Sequence, residues 1–203
     1  AAAVVMASHN KGPIAEFFFG SITNYCAHNC PTPVVILHNL PHPTDDGHKA
    51  GEGEGRAIAV AVDDSALSEK SLQWTVDNVY RHGDTVHMMH VVPPLAEDVP
   101  VADGFGDSME NAQDGVSDKY KEILEAAHVP YKIDLVQEHF IDSIKADAVR
   151  LGTALVSKAE DLDASVLVMA SHGKGDVEEF LLGSVTSFVT HNANDLPVVV
   201  LHP

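Results

Sequence analysis

Two short stretches near the carboxyl terminus hold the residue types from which a phosphate cradle can be built. One is Ala170-Ser171-His172-Gly173-Lys174-Gly175-Asp176; the other is Gly183-Ser184-Val185-Thr186, with nine residues between Gly173 and Gly183. Glycines let backbone N–H groups come close to phosphate oxygens, and a helix opening at Ser184 adds the partial positive charge of its amino end. Ser184 and Thr186 bring hydroxyl donors, and Lys174 is long enough to reach terminal phosphates. The chemistry these residues offer is anion binding. Hydrolysis needs more, a positioned water with a general base or a metal ligand, and no dedicated set accompanies the loop, so no catalytic residue and no metal site is assigned. His172 reads as a loop or capping residue, because no carboxylate or nucleophile stands beside it in sequence.

The same unit occurs twice. Met6 to Thr32 matches Met169 to Asp195 without a gap, with 13 identities in 27 positions that include Ser8/Ser171, His9/His172, Gly20/Gly183 and Ser21/Ser184. Each copy is an apolar strand, a glycine-bearing loop, a helix and a second apolar strand ending at Leu37 or Leu201, which requires the two strands to be parallel. The first copy begins inside its apolar run, whereas about 110 residues of further pattern precede the second. Residues 39–55, NLPHPTDDGHKAGEGEG, have prolines, glycines and carboxylates without apolar periodicity and read as a flexible acidic linker.

Elements that must position the loop follow from periodicity. Ala57–Val62, Thr85–Val92, Tyr131–Gln137 and Ser165–Ala170 are short apolar runs that predict strands, with Val198–Leu201 as the fifth. Between them, Asp63-Asp64-Ser65 offers a helix cap ahead of an inner face of Leu72, Val76, Val79 and Tyr80. A second helix carries Val116, Tyr120, Ile123, Leu124 and Ala127 and stops before Pro130; a third carries Ala148, Gly152, Leu155, Val156 and Ala159. Strands alternating with helices, apolar on both faces, predict an α/β fold: a doubly wound, parallel five-stranded sheet with helices on both faces, plus a partial strand-helix-strand repeat.

The loop now acquires a likeness. Glycine, two residues, glycine, nine residues, then glycine followed by Ser or Thr is the nucleotide motif of the universal stress proteins, and the spacing of Ala170, Gly173, Gly183 and Ser184 resembles it. The resemblance implies strand order 3-2-1-4-5, with the winding reversing between strands one and four, where ligands of doubly wound sheets sit. It implies that Ala61 and Asp63 after the first strand, and Val91 through its backbone, line an adenosine pocket. Ala170, His172, Gly173, Lys174, Gly183, Ser184, Val185 and Thr186 would surround the phosphates of ATP, ADP or AMP, with Asp63 as the candidate to hold an accompanying Mg2+. Ala170 departs from the motif by a methyl group at its first glycine. In the first copy Ala7 and Asn10 replace two glycines, and that copy is expected to bind nothing.

The resemblance also implies that last strands pair, so Val34–Leu37 and Val198–Leu201 are expected to form an internal pseudo-dimer. Residues 1–38 read as the carboxyl-terminal portion of a first domain and 56–203 as a complete one. A protein partner or larger complex would complete the first, and an alternative function is that of a degenerate structural subunit.

Twelve basic against 30 acidic residues, a formal charge of −18, repel phosphate backbones and anionic membranes, so neither nucleic acid nor a membrane is an expected partner. Cys26 and Cys30, four apart on a predicted helix, are poorly placed for a disulfide and read as buried packing in a reducing, cytoplasmic compartment. The carboxylates of residues 97–118 read as solvated surface, since they lack the spacing of a calcium loop.

Overall fold

The computed structural model describes residues 3–7, 21–38, 55–92, 118–137, 147–171, 184–193 and 195–202. In chain order the elements are β1 (Val4–Ala7), α1 (Ser21–Asn29), β2 (Val34–Leu37), β3 (Ala57–Ala61), α2 (Ala66–Asn78) and β4 (Thr85–Val92). Then come α3 (118–126), β5 (Tyr131–Gln137), α4 (Asp147–Asp161), β6 (Ala164–Ala170), α5 (Ser184–Asn192) and β7 (Val198–Leu201). The expected linker, apart from Gly55, lies outside the described residues, as do Val116 and most of the acidic stretch before α3.

All strands join one seven-stranded sheet in the order β1-β2-β7-β6-β3-β4-β5. From β7 to β5 every neighbour is parallel, as is β1 beside β2; β2 and β7 run antiparallel. The chain winds outward from β3 through β4 to β5, then returns to lay β6 on the other side of β3, so the winding reverses between β3 and β6.

Ladders on either side of the antiparallel seam share one register. Val4 pairs with Val34 and Ala7 with Leu37, just as Leu167 pairs with Val198 and Ala170 with Leu201. The Val4 amide donates to Pro33 O at 2.8 Å, and the Leu167 amide donates to Pro197 O at 2.9 Å. Across the seam Val34 faces Val200, Val35 faces Val199 and Ile36 faces Val198.

Alternation along the strands divides the core in two. On one face Ala59, Met89, Val136, Leu167, Met169, Val198, Val200, Val34 and Ile36 pack with Leu155, Val156 and Ala159 of α4, Val189 of α5 and Ala27 of α1. On the other, Ile58, Val60, Val86, Met88, Val166, Val168 and Val199 pack with Leu72 of α2 and Tyr120 and Leu124 of α3. Gly152 in α4 is buried, and a Cβ there would run into the ring of Phe188, so the glycine sets how closely α5 approaches. Val5 holds the place in β1 that Val168 holds in β6, yet Val5 is 63% exposed and Val168 0%.

Polar groups tie the elements together. Arg56 grips Asp84 through Nε at 3.1 Å and Nη2 at 2.5 Å, while the Arg56 and Arg81 amides donate to the same carboxylate. His87 Nδ1 on β4 lies 2.8 Å from Asp134 Oδ2 on β5, and Lys158 Nζ of α4 lies 3.0 Å from Asp134 Oδ1.

One expected face is extended and another shortened. In α2 the buried residues are Ser68, Ser71, Leu72 and Thr75, with Val76, Val79 and Tyr80 only half-buried at the edge of the core. Ser71 and Thr75 donate their hydroxyls to Leu67 O and Ser71 O, so small polar residues line the sheet without lost hydrogen bonds and let the helix sit close. In α3 the helix ends at residue 126, and Ala127 is exposed in the turn that His128 makes with φ 53°. Cys26 and Cys30 are free and half-buried rather than fully buried; Cys30 lies beyond the last turn of α1, with its Sγ 3.2 Å from Thr32 Oγ1.

Candidate functional site

The reversal of winding leaves a fork between β3 and β6. β3 leaves the ladder at its carboxyl end, where the Val62 amide makes a last bond to Met89 O at 2.9 Å. Amide groups of a parallel strand point to alternate sides, so Val91, two residues beyond Met89, turns its N–H and C=O toward the side that β3 has vacated. Ala61 and Val91 are half-buried and pack at the rim of the core.

Loop 62–65 follows, and its geometry comes from local side-chain chemistry. Ser65 caps α2 by accepting from the Ser68 amide at 3.1 Å. Asp63 Oδ1 accepts from the Ser65 amide at 3.0 Å and from Ser68 Oγ at 2.7 Å, and Ser68 Oγ in turn accepts from the Asp63 amide at 3.2 Å. One carboxylate oxygen is thereby clamped. Oδ2 accepts no hydrogen bond from the described residues.

Across the fork stands the end of β6. The Ser171 amide donates to Leu201 O at 2.8 Å, and Ser171 is fully buried. Thr186, in the first turn of α5, is buried and donates its hydroxyl to Ala170 O at 3.0 Å. This bond fastens the amino end of α5 to the carboxyl end of β6 and commits the proton that the sequence reading assigned to a phosphate; Thr186 is a brace between the two elements. Val185 is half-buried against the core through its side chain. Ser184 opens α5 as expected. His172, Gly173, Lys174 and Gly183 lie outside the described residues.

The structure thus brings Ala61, Asp63, Val91, Ala170 and the start of α5 to the same end of the parallel sheet. It adds residues that the sequence reading missed. His90 Nδ1 lies 3.0 Å from Val62 O, and Tyr120 Oη donates to Asp63 O. Burial, and then the negative charge of Asp63, push the Tyr120 phenol up to about 12, so it remains a donor throughout the neutral range. Neither contact has a local signal, since Tyr120 and Asp63 are separated by 57 positions. Among the described residues no group of three His, Cys, Asp or Glu side chains is placed to hold a metal, and no helix is long and apolar enough to cross a membrane.

The fold agrees with comparisons to known proteins. The sequence profile of the universal stress protein family matches residues 1–38 and 55–202, and the chain belongs to that family. Universal stress protein PHOS32 of Arabidopsis thaliana is 29% identical over 172 residues, 74% of this chain and 66% of that one. A universal stress protein crystal structure from Archaeoglobus fulgidus is 20% identical, with a TM-score of 0.56, over 99% of this chain and 60% of that one. Another, solved in complex with cAMP, is 20% identical with a TM-score of 0.52 and covers 72% of this chain and 97% of that one. The chain spans 60–66% of the length of the curated relatives it matches.

Proposed function

We propose that this chain is an adenine-nucleotide-binding module that regulates or supports partner interactions, with ATP, ADP or AMP beyond the carboxyl ends of β3, β4 and β6. The observation that carries this reading is Asp63 in loop 62–65, directly after β3 where the winding reverses: Oδ1 is clamped, and Oδ2 accepts no hydrogen bond from the described residues. An oriented carboxylate acceptor and the peptide edge of Val91, both at this end of the sheet, suit the exocyclic amine of adenine or a ribose hydroxyl. Ala61 borders the base, and the phosphates extend past Ala170 and His172 toward Gly173, Gly183, Ser184 and the amide of Val185. There the amino end of α5 favours an anion, and Lys174 reaches the outer oxygens. Thr186 belongs to this site through its hold on Ala170. Asp63 has one carboxylate oxygen left to give, so a Mg2+ accompanying the phosphates would be bound there only in place of the base or ribose contact. The family relative solved with cAMP supports this class of ligand.

The test is equilibrium binding of ATP to the full chain, beside Gly183→Val. The expected result is saturable binding that the variant weakens at least about tenfold, roughly 1.4 kcal/mol. Wild-type protein that binds no ATP sinks the reading, and equal binding by the variant shows that the phosphates lie elsewhere.

A second reading, a structural subunit with a degenerate site, is favoured by the seam between β2 and β7. In it, residues 1–38 are the carboxyl-terminal portion of a first domain, 39–55 the linker and 56–203 a complete domain, and the seam makes an internal pseudo-dimer. Val5 is exposed where its counterpart Val168 is buried in the cluster that includes Leu72 of α2, and in this reading a partner or a larger complex covers the face and outer edge of β1. Cys26 and Cys30, both free thiols, fit a cytoplasmic setting. This reading gains if ATP fails to bind while the chain associates with a partner that protects Val5.

A further inference from the structure

Loop 62–65 closes its own turn and its own helix cap, yet two further side chains from distant elements hold its carbonyls. His90 comes from β4 and meets Val62 O at 3.0 Å. Tyr120 comes from α3 and donates to Asp63 O, with Ser65 O at 3.5 Å, the outer limit of a hydrogen bond. The elements that deliver Tyr120 are themselves fastened at this point. Lys119 Nζ lies 2.6 Å from Glu69 Oε2 in the first turn of α2, and the Tyr120 ring is buried in the core cluster that includes Leu72 and Leu124.

Two other buried hydroxyls of this region serve only their own helix. Ser71 and Thr75 return their protons to α2 carbonyls four residues back. Tyr120 instead spans from one helix to the loop ahead of another, and its acceptor is the main chain of Asp63, whose Oδ2 accepts no hydrogen bond from the described residues. With the Asp63 carbonyl fixed from outside and its Oδ1 fixed from within the turn, Oδ2 has one direction left to it.

We propose that Tyr120, assisted by His90, is a positioning residue that aims Asp63 for adenine-nucleotide binding, a role that rests on the nucleotide reading above. The contact is between main chain and phenol, so the residue acts on the ligand only through Asp63.

The test compares the full-length wild type with Tyr120→Phe, Asp63→Ala, the double variant and Thr75→Val. Thr75→Val removes an equally buried hydroxyl that does not touch the loop. ATP affinity is read by calorimetry, and amide hydrogen exchange at residues 63–68 is read without nucleotide. Tyr120→Phe is expected to weaken ATP roughly three- to tenfold, the worth of one hydrogen bond, and to speed exchange at Ser65 and Ser68. In the Asp63→Ala background it is expected to weaken binding no further, and Thr75→Val is expected to leave affinity unchanged. Should Tyr120→Phe fail to fold, His90→Asn is expected to shift affinity and exchange in the same direction. Wild type that binds beside a Tyr120→Phe that binds equally well overturns the positioning role alone, as does equal weakening by Thr75→Val. A wild-type chain that binds no ATP overturns the nucleotide reading and this role with it.

Discussion

Val35 and Val199 face each other directly in the antiparallel pair of β2 and β7. They also occupy the same place in their strands, each the second residue of an apolar run of four that follows a proline. Their neighbours exchange partners about them, Val34 with Val200 and Ile36 with Val198, as rotation about a twofold axis through this rung requires. Buried valines and isoleucine on both strands make the seam an apolar contact as well as a ladder.

A chain cut between the repeats should therefore stay together. With a protease site inserted at Gly51, cleavage is expected to yield fragments that co-elute on size exclusion and separate only in denaturant. Separation under native conditions would show that the seam does not hold without the covalent connection.

Thr186→Val keeps the volume of the side chain and removes the proton from Ala170 O. An unpaired buried carbonyl costs about 1–3 kcal/mol, read as a lower midpoint in urea. ATP affinity is expected to fall as well, because the end of β6 and the start of α5 lose their tie. Loss of stability with affinity intact would separate the brace from the ligand.

Ion pairs of Asp84, ahead of β4, and of Asp134, within β5, set the response to acid. Burial alone would raise the Asp84 carboxyl, but hydrogen bonds and charge from Arg56, together with the Arg81 amide, hold it below the usual carboxylate range. Asp134 is lowered in the same sense, with Lys158 and His87 outweighing its burial. A depressed folded pKa means that the folded state binds the proton less readily than the unfolded chain does. The stabilisation is thus complete above the ordinary carboxylate pKa of about 3.9 and is lost as pH falls below it. Asp84→Asn is expected to cost about 2–4 kcal/mol at neutral pH and to flatten the acid limb of a stability profile. An unchanged limb would assign acid sensitivity to other groups.

Gly152→Ala places a methyl group against the ring of Phe188. Helix propensity favours alanine by about 1 kcal/mol, yet the overpacked contact is expected to outweigh it and leave the variant about 1–2 kcal/mol less stable. A raised thermal midpoint would mean that α5 moves away without loss.

Strands were the most legible part of the chain. Thr85–Val92 and Tyr131–Gln137 have the bounds that their apolar runs predict, and Ala164–Ala170 begins one residue earlier than expected. A parallel sheet buries both faces, so its strands read as continuous apolar runs that turn residues delimit sharply. The inner face of α2 was legible only in part: Leu72 is buried and Val76, Val79 and Tyr80 pack on the core as expected, but a helix that also buries Ser68, Ser71 and Thr75 looks polar in a pattern of apolar residues. Asp63 could be placed, since its turn is local: its partners Ser65 and Ser68 lie within five positions. Tyr120 and His90 could not, because their partners are brought near only by the sheet and by α3 packing on it.

The reversed direction of β2 against β7 sets the two repeats apart. Ala7 and Ala170 both end their strands, but those strands run oppositely, so the two repeats open at opposite rims of one sheet. A molecule held at one rim cannot touch anything held at the other. The rung of Val35 and Val199 lies midway between those rims.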